Sequence, residues 1–181
     1  MKNILRCCAV AGTVLFTLAF ASSARAAETT YLQVTGVTGE VTQVGRQGQF
    51  EVLGFNHEVA QERDPATGLP TGKRQHAPFK VILRHGDGIV ALATHLVNNS
   101  VISTAVVNLW KPGVSSAEIL YFKYTLTNLK VIAMRPWQPN KADRTAADYP
   151  HMVEVSFVYE SIKWSNFGGS VEQTDTWPIV E

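Results

Sequence analysis

The stretch Gly54 to Phe79, GFNHEVAQERDPATGLPTGKRQHAPF, decides how the rest of this chain is arranged. It leaves an alternating, strand-like run, Phe50 to Val59, and enters a second one, Phe79 to Arg84. Between them stand Asp64-Pro65, Gly68, Pro70 and Gly72. Proline fixes φ near −65° and glycine tolerates positive φ, so these residues mark turns. Besides the prolines, Gln61 to Gln75 offers only Ala66 and Leu69 as apolar residues. Such a segment cannot bury itself, and the sequence predicts a long arm with no element of its own projecting between two strands. Three readings of the arm compete. A phosphate cradle over Gly68-Leu69-Pro70-Thr71-Gly72-Lys73 fails, because three residues rather than four separate the glycines. Arg74 also stands where a Mg²⁺-binding Ser or Thr belongs, and Pro70 removes a backbone donor. A plain surface loop is the second reading. The third is an arm that docks on a neighbouring subunit, with Arg63, Asp64, Lys73, Arg74 and His76 as interface candidates.

Outward from the arm the pattern is mostly strand. Tyr31 to Val37 alternates as YLQVTGV, and Phe50, Val52 and Phe55 continue after a turn around Gly45 to Gly48. Phe79 to Leu83 is a third strand. Asp87 to Asn99 reads as the helix. Asp87 is its N-cap candidate, and Ile89, Leu92, Ala93, Leu96 and Val97 form one apolar stripe. Thr94 and His95 fall on the opposite face, His95 as a solvent-facing or capping histidine rather than a ligand. Asn98-Asn99 closes the helix, since Asn tolerates the left-handed position after it. Ser100 to Trp110 and Ala117 to Met134 flank the turn signal Lys111-Pro112-Gly113. The second run is long for one strand, so a bulge or bend near Asn128 is expected, letting Val131 and Ile132 face a different sheet. Arg135 to Pro150 reads as a polar loop. His151 to Trp164 alternates again, and Gly168-Gly169 turns the chain into Ser170 to Trp177. Seven or eight strands and one helix indicate a mainly β protein: a two-sheet β-barrel or sandwich with an α-helix packed on its side.

Residues 1–26 stand apart. Lys2 and Arg6 supply a positive start, Ala9 to Ala21 is apolar, and Ala24-Arg25-Ala26 is a small-x-small cleavage site. This is the pattern of a secretory signal peptide, with cleavage between Ala26 and Ala27 and a single domain over 27–181. The apolar run is too short to span a membrane as a helix. Cys7 and Cys8 precede it, so no lipid-attachment cysteine sits at the cut and no membrane anchor is expected. Losing Lys2, Arg6 and Arg25 from sixteen Lys and Arg leaves thirteen against fifteen Asp and Glu, a net charge of −2. That balance lacks the electrostatic footprint of a nucleic-acid binder. Both cysteines also go, leaving no disulfide framework and no thiol chemistry. The expected location is periplasmic or extracellular.

No constellation of catalytic residues emerges, so no enzyme activity and no cofactor is expected. His57 and His76 flank the arm and, with Glu58, would make three metal-type ligands if its stems paired. The same residues read equally as structural histidines, and no metal is assigned. Ser156 and Ser161 lie in a strand with no adjacent base, and no Gly-x-Ser-x-Gly elbow exists. Asp143 and Asp148 sit in the polar loop as solvated carboxylates. Of Trp110, Trp137, Trp164 and Trp177, the first choice for an exposed sugar-binding ring is Trp137, whereas Trp164 and Trp177 read as core or interface.

The arm also carries a resemblance. His57, Thr67-Gly68, Thr71-Gly72, Arg74, His76, Pro78 and Phe79 match in order a pattern of the haemolysin-coregulated protein (Hcp) family, the tube subunits of type VI secretion. Tyr121-Phe122 with Leu126-x-Asn128, the run Val155 to Trp164, and Asp175-x-Trp177 continue it. The resemblance spans Thr30 to Trp177 and implies a β-barrel with a side helix. It implies a structural, non-enzymatic subunit that forms homohexameric rings, which stack into a hollow tube and leave the cell. Its implied partners are other copies of itself, a VgrG-type spike protein, a contractile sheath and small effectors in the lumen. The leader departs from that pattern, because family subunits assemble in the cytoplasm. The alternative expectation is therefore an exported ring-forming or ligand-binding relative outside any secretion machine.

Overall fold

The computed structural model describes residues 28–114, 117–146 and 148–177. The leader and its expected cleavage point at Ala26 and Ala27 lie outside the described residues. Nine strands and one α-helix follow in order: β1 (Thr29–Val34), β2 (Phe50–Asn56), β3 (Val59–Ala60), β4 (Gln75–His76), β5 (Phe79–Arg84), α1 (Asp87–Val97), β6 (Ile102–Pro112), β7 (Glu118–Trp137), β8 (Met152–Asn166) and β9 (Val171–Thr176). Six of them run β5-β2-β1-β6-β7-β8, and a β5–β8 pairing closes the ring of strands. The two expected sheets are thus one continuous sheet closed into a barrel. Closure leaves no free edge in the barrel wall itself. All its pairings are antiparallel.

The alternation read from sequence lines the barrel. In β5, Phe79, Val81 and Leu83 are fully buried while Lys80 and Arg84 face out. Phe50, Leu32, Val107, Leu126, Val155 and Phe157 meet them inside. Long β8 changes partner halfway. Met152 to Phe157 pair with β5, and Ser161 to Asn166 pair with β9, so Val158 to Glu160 lie at the exchange. Opposite them β7 carries the expected irregularity. Asn128 takes a left-handed conformation (φ 49°), and the β7–β8 register shifts between Val131 and Ala133. The extra residue is Ile132, which turns outward while Val131 stays buried.

Helix α1 seals one side of the barrel against β7. Leu92 and Ile89 carry the buried face, with Ala91 and Leu96 packed beside them. Two expectations change here. The N-cap is Gly86 rather than Asp87, with no side-chain capping bond. Val97, the last residue of α1, is 82 % exposed and lies outside the core cluster. Of the two readings of His95, its half-buried place in the last turn of α1, with Nδ1 2.7 Å from Ser100 Oγ, fits the capping one. Gly88 has a packing reason: a Cβ there would fall 2.5 Å from both Phe50 Cζ and the Thr38 carbonyl. The helix closes as expected, with Asn99 left-handed at φ 48°.

The arm differs most from its expectation. It is a slender hairpin, not a structureless connection. Val59 pairs with His76 and Ala60 with Gln75, and an isolated bridge joins Arg63 to Pro70. Backbone bonds run up the stem: Ala77 N to the Glu58 carbonyl at 2.9 Å, Thr71 N to Glu62 at 3.0 Å, and Asp64 N to Leu69 at 2.9 Å. Hairpin ladders need only alternating main-chain partners, so a polar segment without a core pattern can still form one.

Candidate functional site

The tip of the arm is built by Asp64. Its Oδ1 accepts from Ala66 N (2.8 Å), Thr67 N (2.7 Å) and Thr67 Oγ1 (3.0 Å), a self-contained Asx turn. These bonds favour the ionised form and hold the Asp64 carboxyl below its usual range. Gly68 follows at φ 70°, a left-handed position that suits glycine, and Arg63 donates to its carbonyl at 3.0 Å. Leu69 stands 65 % exposed beside them. The tip therefore presents a fixed shape to solvent.

The base of the arm is built differently. His57 ends the path out of β2 and His76 ends the path back, so the paired stems bring them together, ring centroids 6.1 Å apart. Tyr159 of β8 reaches up between them. Its Oη lies 2.5 Å from His57 Nε2 and 2.8 Å from His76 Nδ1. On the far side, His76 Nε2 lies 3.0 Å from Asp175 Oδ2, and Arg74 grips the same carboxylate with two guanidinium hydrogens. Below, His57 stacks on Phe79 at 5.2 Å, and Trp177 leans on His76 at 5.5 Å.

Hydrogen counting fixes the direction of this chain. Arg74 above all, with His76, holds the Asp175 carboxyl below its usual range, so Asp175 is ionised and only accepts. His76 Nε2 must then donate to it. In the tautomer that carries its one proton on Nε2, His76 Nδ1 accepts a hydrogen bond from the Tyr159 hydroxyl. Tyr159 oxygen is left to accept from His57 Nε2–H. The run His57 to Tyr159 to His76 to Asp175 leaves no facing pair of donors or acceptors. Burial, and secondly repulsion from the charge His76 carries when protonated, lower the His57 pKa to about 4, which keeps that imidazole neutral as the chain requires. Burial, and then the Asp175 charge, push the Tyr159 phenol up, so it remains a hydroxyl.

The five interface candidates thus divide. Arg63 and Asp64 shape the tip, while Arg74 and His76 fasten the base to β9. Among the described residues, Lys73 has no ionic or hydrogen-bonding partner. The metal-type trio does not assemble: His57 and His76 meet around a tyrosine, and exposed Glu58 is not among the groups there. Ser156 is buried within β8, Trp164 packs on the core, and Trp137 is 41 % exposed as expected. Tyr159 and Asp175 carry the site, yet no role could be assigned to them from sequence alone. Tyr159 reads as one more core residue of an alternating strand. The one available signal is Asp175 within Asp175-x-Trp177, the half-buried acid of an otherwise exposed strand.

A closed six-stranded antiparallel barrel, a flanking helix and a polar hairpin arm clamped to the wall define a β-barrel scaffold protein. The model of the family described as type VI secretion system effector, Hcp, matches residues 31–165, and this chain belongs to that family. Among individual proteins, the major exported protein of Pseudomonas aeruginosa is 26 % identical over 139 residues, covering 77 % of this chain and 81 % of that protein. Solved structures agree in fold. A crystal structure of an Hcp protein superposes with a TM-score of 0.79 at 19 % identity, over 85 % of this chain and all of that one. The Hcp1 protein from E. coli EAEC 042 gives 0.71 at 25 % identity, over 83 % of this chain and 97 % of that one. The secreted protein Hcp3 from Pseudomonas aeruginosa gives 0.68 at 18 % identity, over 84 % and 100 %.

Proposed function

We propose that residues 27–181 act as a structural, non-enzymatic tube subunit of a type VI secretion system, closing into six-membered rings that stack and are expelled. The family match over most of the barrel carries this reading. The barrel supplies what ring closure needs. Among the described residues β9 pairs only with β8, so its outer edge is free to meet another subunit. Rings stack through the arm, with Arg63, Asp64, Lys73, Arg74 and His76 as its contact and support residues. A spike protein at the tip of the tube, a sheath around it and small effectors inside it are the further partners. Light scattering of the purified protein tests ring closure: about six subunits per particle are expected from cyclic closure. A strict monomer at high concentration overturns it.

The leader sequence supports a second reading, that of an exported ring-forming or ligand-binding relative that works in the periplasm or outside the cell. Family and fold favour the tube. N-terminal sequencing of the native protein decides whether cleavage occurs: a start at Ala27 supports export through the leader, and a start at Met1 removes it.

A further inference from the structure

The stem of the arm, the end of β9 and the β7–β8 wall enclose a cleft of about 1000 Å³. It opens where β8 exchanges β5 for β9, so no strand covers the wall there. Lys73 and Arg74 enter it from the arm and Lys130 from β7, while no carboxylate lines it. Arg74 is committed to Asp175, which His76 also holds. Among the described residues Lys73 and Lys130 have no hydrogen-bonding or ionic partner, and Lys130 is half-buried. With Arg74 neutralised by Asp175, Lys73 and Lys130 are two cations lining one concavity with no counter-charge, and the low-dielectric walls strengthen their repulsion. Ile132, turned outward by the β7 bulge, with Val158, Ala77 and the Trp177 indole, gives the cleft an apolar wall, and Gln61, Asn99 and Thr176 add neutral polar groups at its margin.

We propose that this cleft binds an acidic peptide segment that carries aliphatic side chains. Carboxylates of the segment pair with Lys130 and Lys73 and relieve the like-charge crowding. Its aliphatic groups cover Ile132 and Val158 against the indole. A bare inorganic anion would satisfy the lysines and leave the apolar wall wet. A nucleic acid fits poorly, because the expected mature chain has a net charge of −2 and this cleft supplies one indole rather than a row of stacking rings. The proposal goes beyond the ring-and-tube reading and does not depend on it, since Lys130 and Ile132 belong to the barrel wall and not to the arm.

The test uses the purified full chain and two synthetic hexapeptides, EIEVEL and its amide counterpart QIQVQL, followed by calorimetry and tryptophan emission. EIEVEL is expected to bind at least about tenfold more tightly than QIQVQL and to weaken as salt rises from about 50 mM to about 500 mM. Lys130→Glu is expected to weaken EIEVEL by about tenfold or more, with Lys130→Gln intermediate. Should Lys130→Glu fail to fold, Lys130→Gln with an unchanged melting temperature carries the test. Equal affinity for the two peptides, no effect of the Lys130 variants, or no binding at about 1 mM peptide overturns the proposal. So does competition by sodium acetate or inorganic phosphate as strong as that of EIEVEL, which would make this a site for small anions. Because binding is read on Lys130 in the barrel wall, loss of tubes when 62–71 is replaced leaves this result unaffected, and the reverse also holds, whereas Lys73→Glu alters both arm and cleft and is expected to weaken EIEVEL as well.

Discussion

The barrel wall and the arm are both antiparallel hairpin structure, yet different forces hold them. The wall buries a period-two row of apolar side chains: Phe79, Val81 and Leu83 in β5 against Val155 and Phe157 in β8. The arm buries almost nothing along its length. It is set in place at one end by a row of polar side chains, His57, Tyr159, His76, Asp175 and Arg74. Apolar burial is non-directional and tolerates exchange of one aliphatic for another. A hydrogen-bonded row is directional, and losing one member leaves its neighbours unsatisfied. The arm can therefore point in a fixed direction without a core of its own, at the cost of sensitivity to single atoms and to pH.

The largest expected effect lies in the wall. Leu92 is fully buried between α1 and the barrel, and Leu92→Asp places an unpaired charge there. A loss on the order of 3 kcal/mol or more is expected in urea unfolding. Thr94→Asp, on the exposed face of the same helix, should melt with the parent. Equal losses in both variants would break the contrast between the buried and open faces.

Next comes the base of the arm. Tyr159→Phe keeps the buried ring and removes the hydroxyl that joins the two histidines. A loss of about 1–3 kcal/mol is expected, because His57 and His76 each lose a partner in a mostly buried site. Proteolysis within Gln61 to Gln75 should quicken more than global unfolding does. An unchanged arm in that variant would mean that the main-chain ladder alone positions it.

The pH response follows from His57. Its folded pKa of about 4 lies below the ordinary 6.5, so the unfolded chain takes up this proton first as pH falls. The stabilisation is fully present above about pH 6.5 and fades as pH drops from 6.5 towards 4. In His57→Gln the slope of stability against pH across that window should flatten. A parent and variant with parallel curves would remove His57 from the account.

The tip should respond least. Replacing 62–71 by a short glycine-rich turn should leave the melting temperature unchanged, because closing a shorter loop costs little entropy and the base stays intact. The cut must spare Arg74 and His76, since both fasten β9. Lys73→Glu is the gentler change, reversing a charge with no partner among the described residues. If the arm bridges rings, both variants should still fold and form rings, yet electron microscopy should show shortened or absent tubes, the Lys73→Glu defect being greater at low salt. Tubes of normal length from the shortened chain would reduce the tip to a surface loop.

Much of the wall was legible because its signal is local. Phe79-Lys80-Val81-Ile82-Leu83-Arg84 alternates with the strand period. The stripe through Ile89 and Leu92 marks α1, and Asn99 marks its end. The errors came where a neighbour overrides the local pattern. Val97 continues the stripe, yet as the last residue of α1 it is exposed. Asp87 is a good capping residue, yet Gly86 takes the cap. The arm looked structureless because its pairing is carried by main-chain groups, which leave no trace in side-chain periodicity.

By itself the sequence determined the main strands of the wall, the helix, the place of the arm, the leader pattern and, through His57, Arg74, His76 and Asp175-x-Trp177, the family. These follow from side-chain type and spacing along the chain, which local sterics and burial translate directly into structure. Only the tertiary structure decided that two sheets are one closed barrel, that Tyr159 joins His57 to His76, and that the cations Lys73 and Lys130 face one cleft. Each of these depends on residues distant in the chain meeting across the β8 exchange point. Their register there is set by packing and by the bulge at Ile132, which no local pattern encodes.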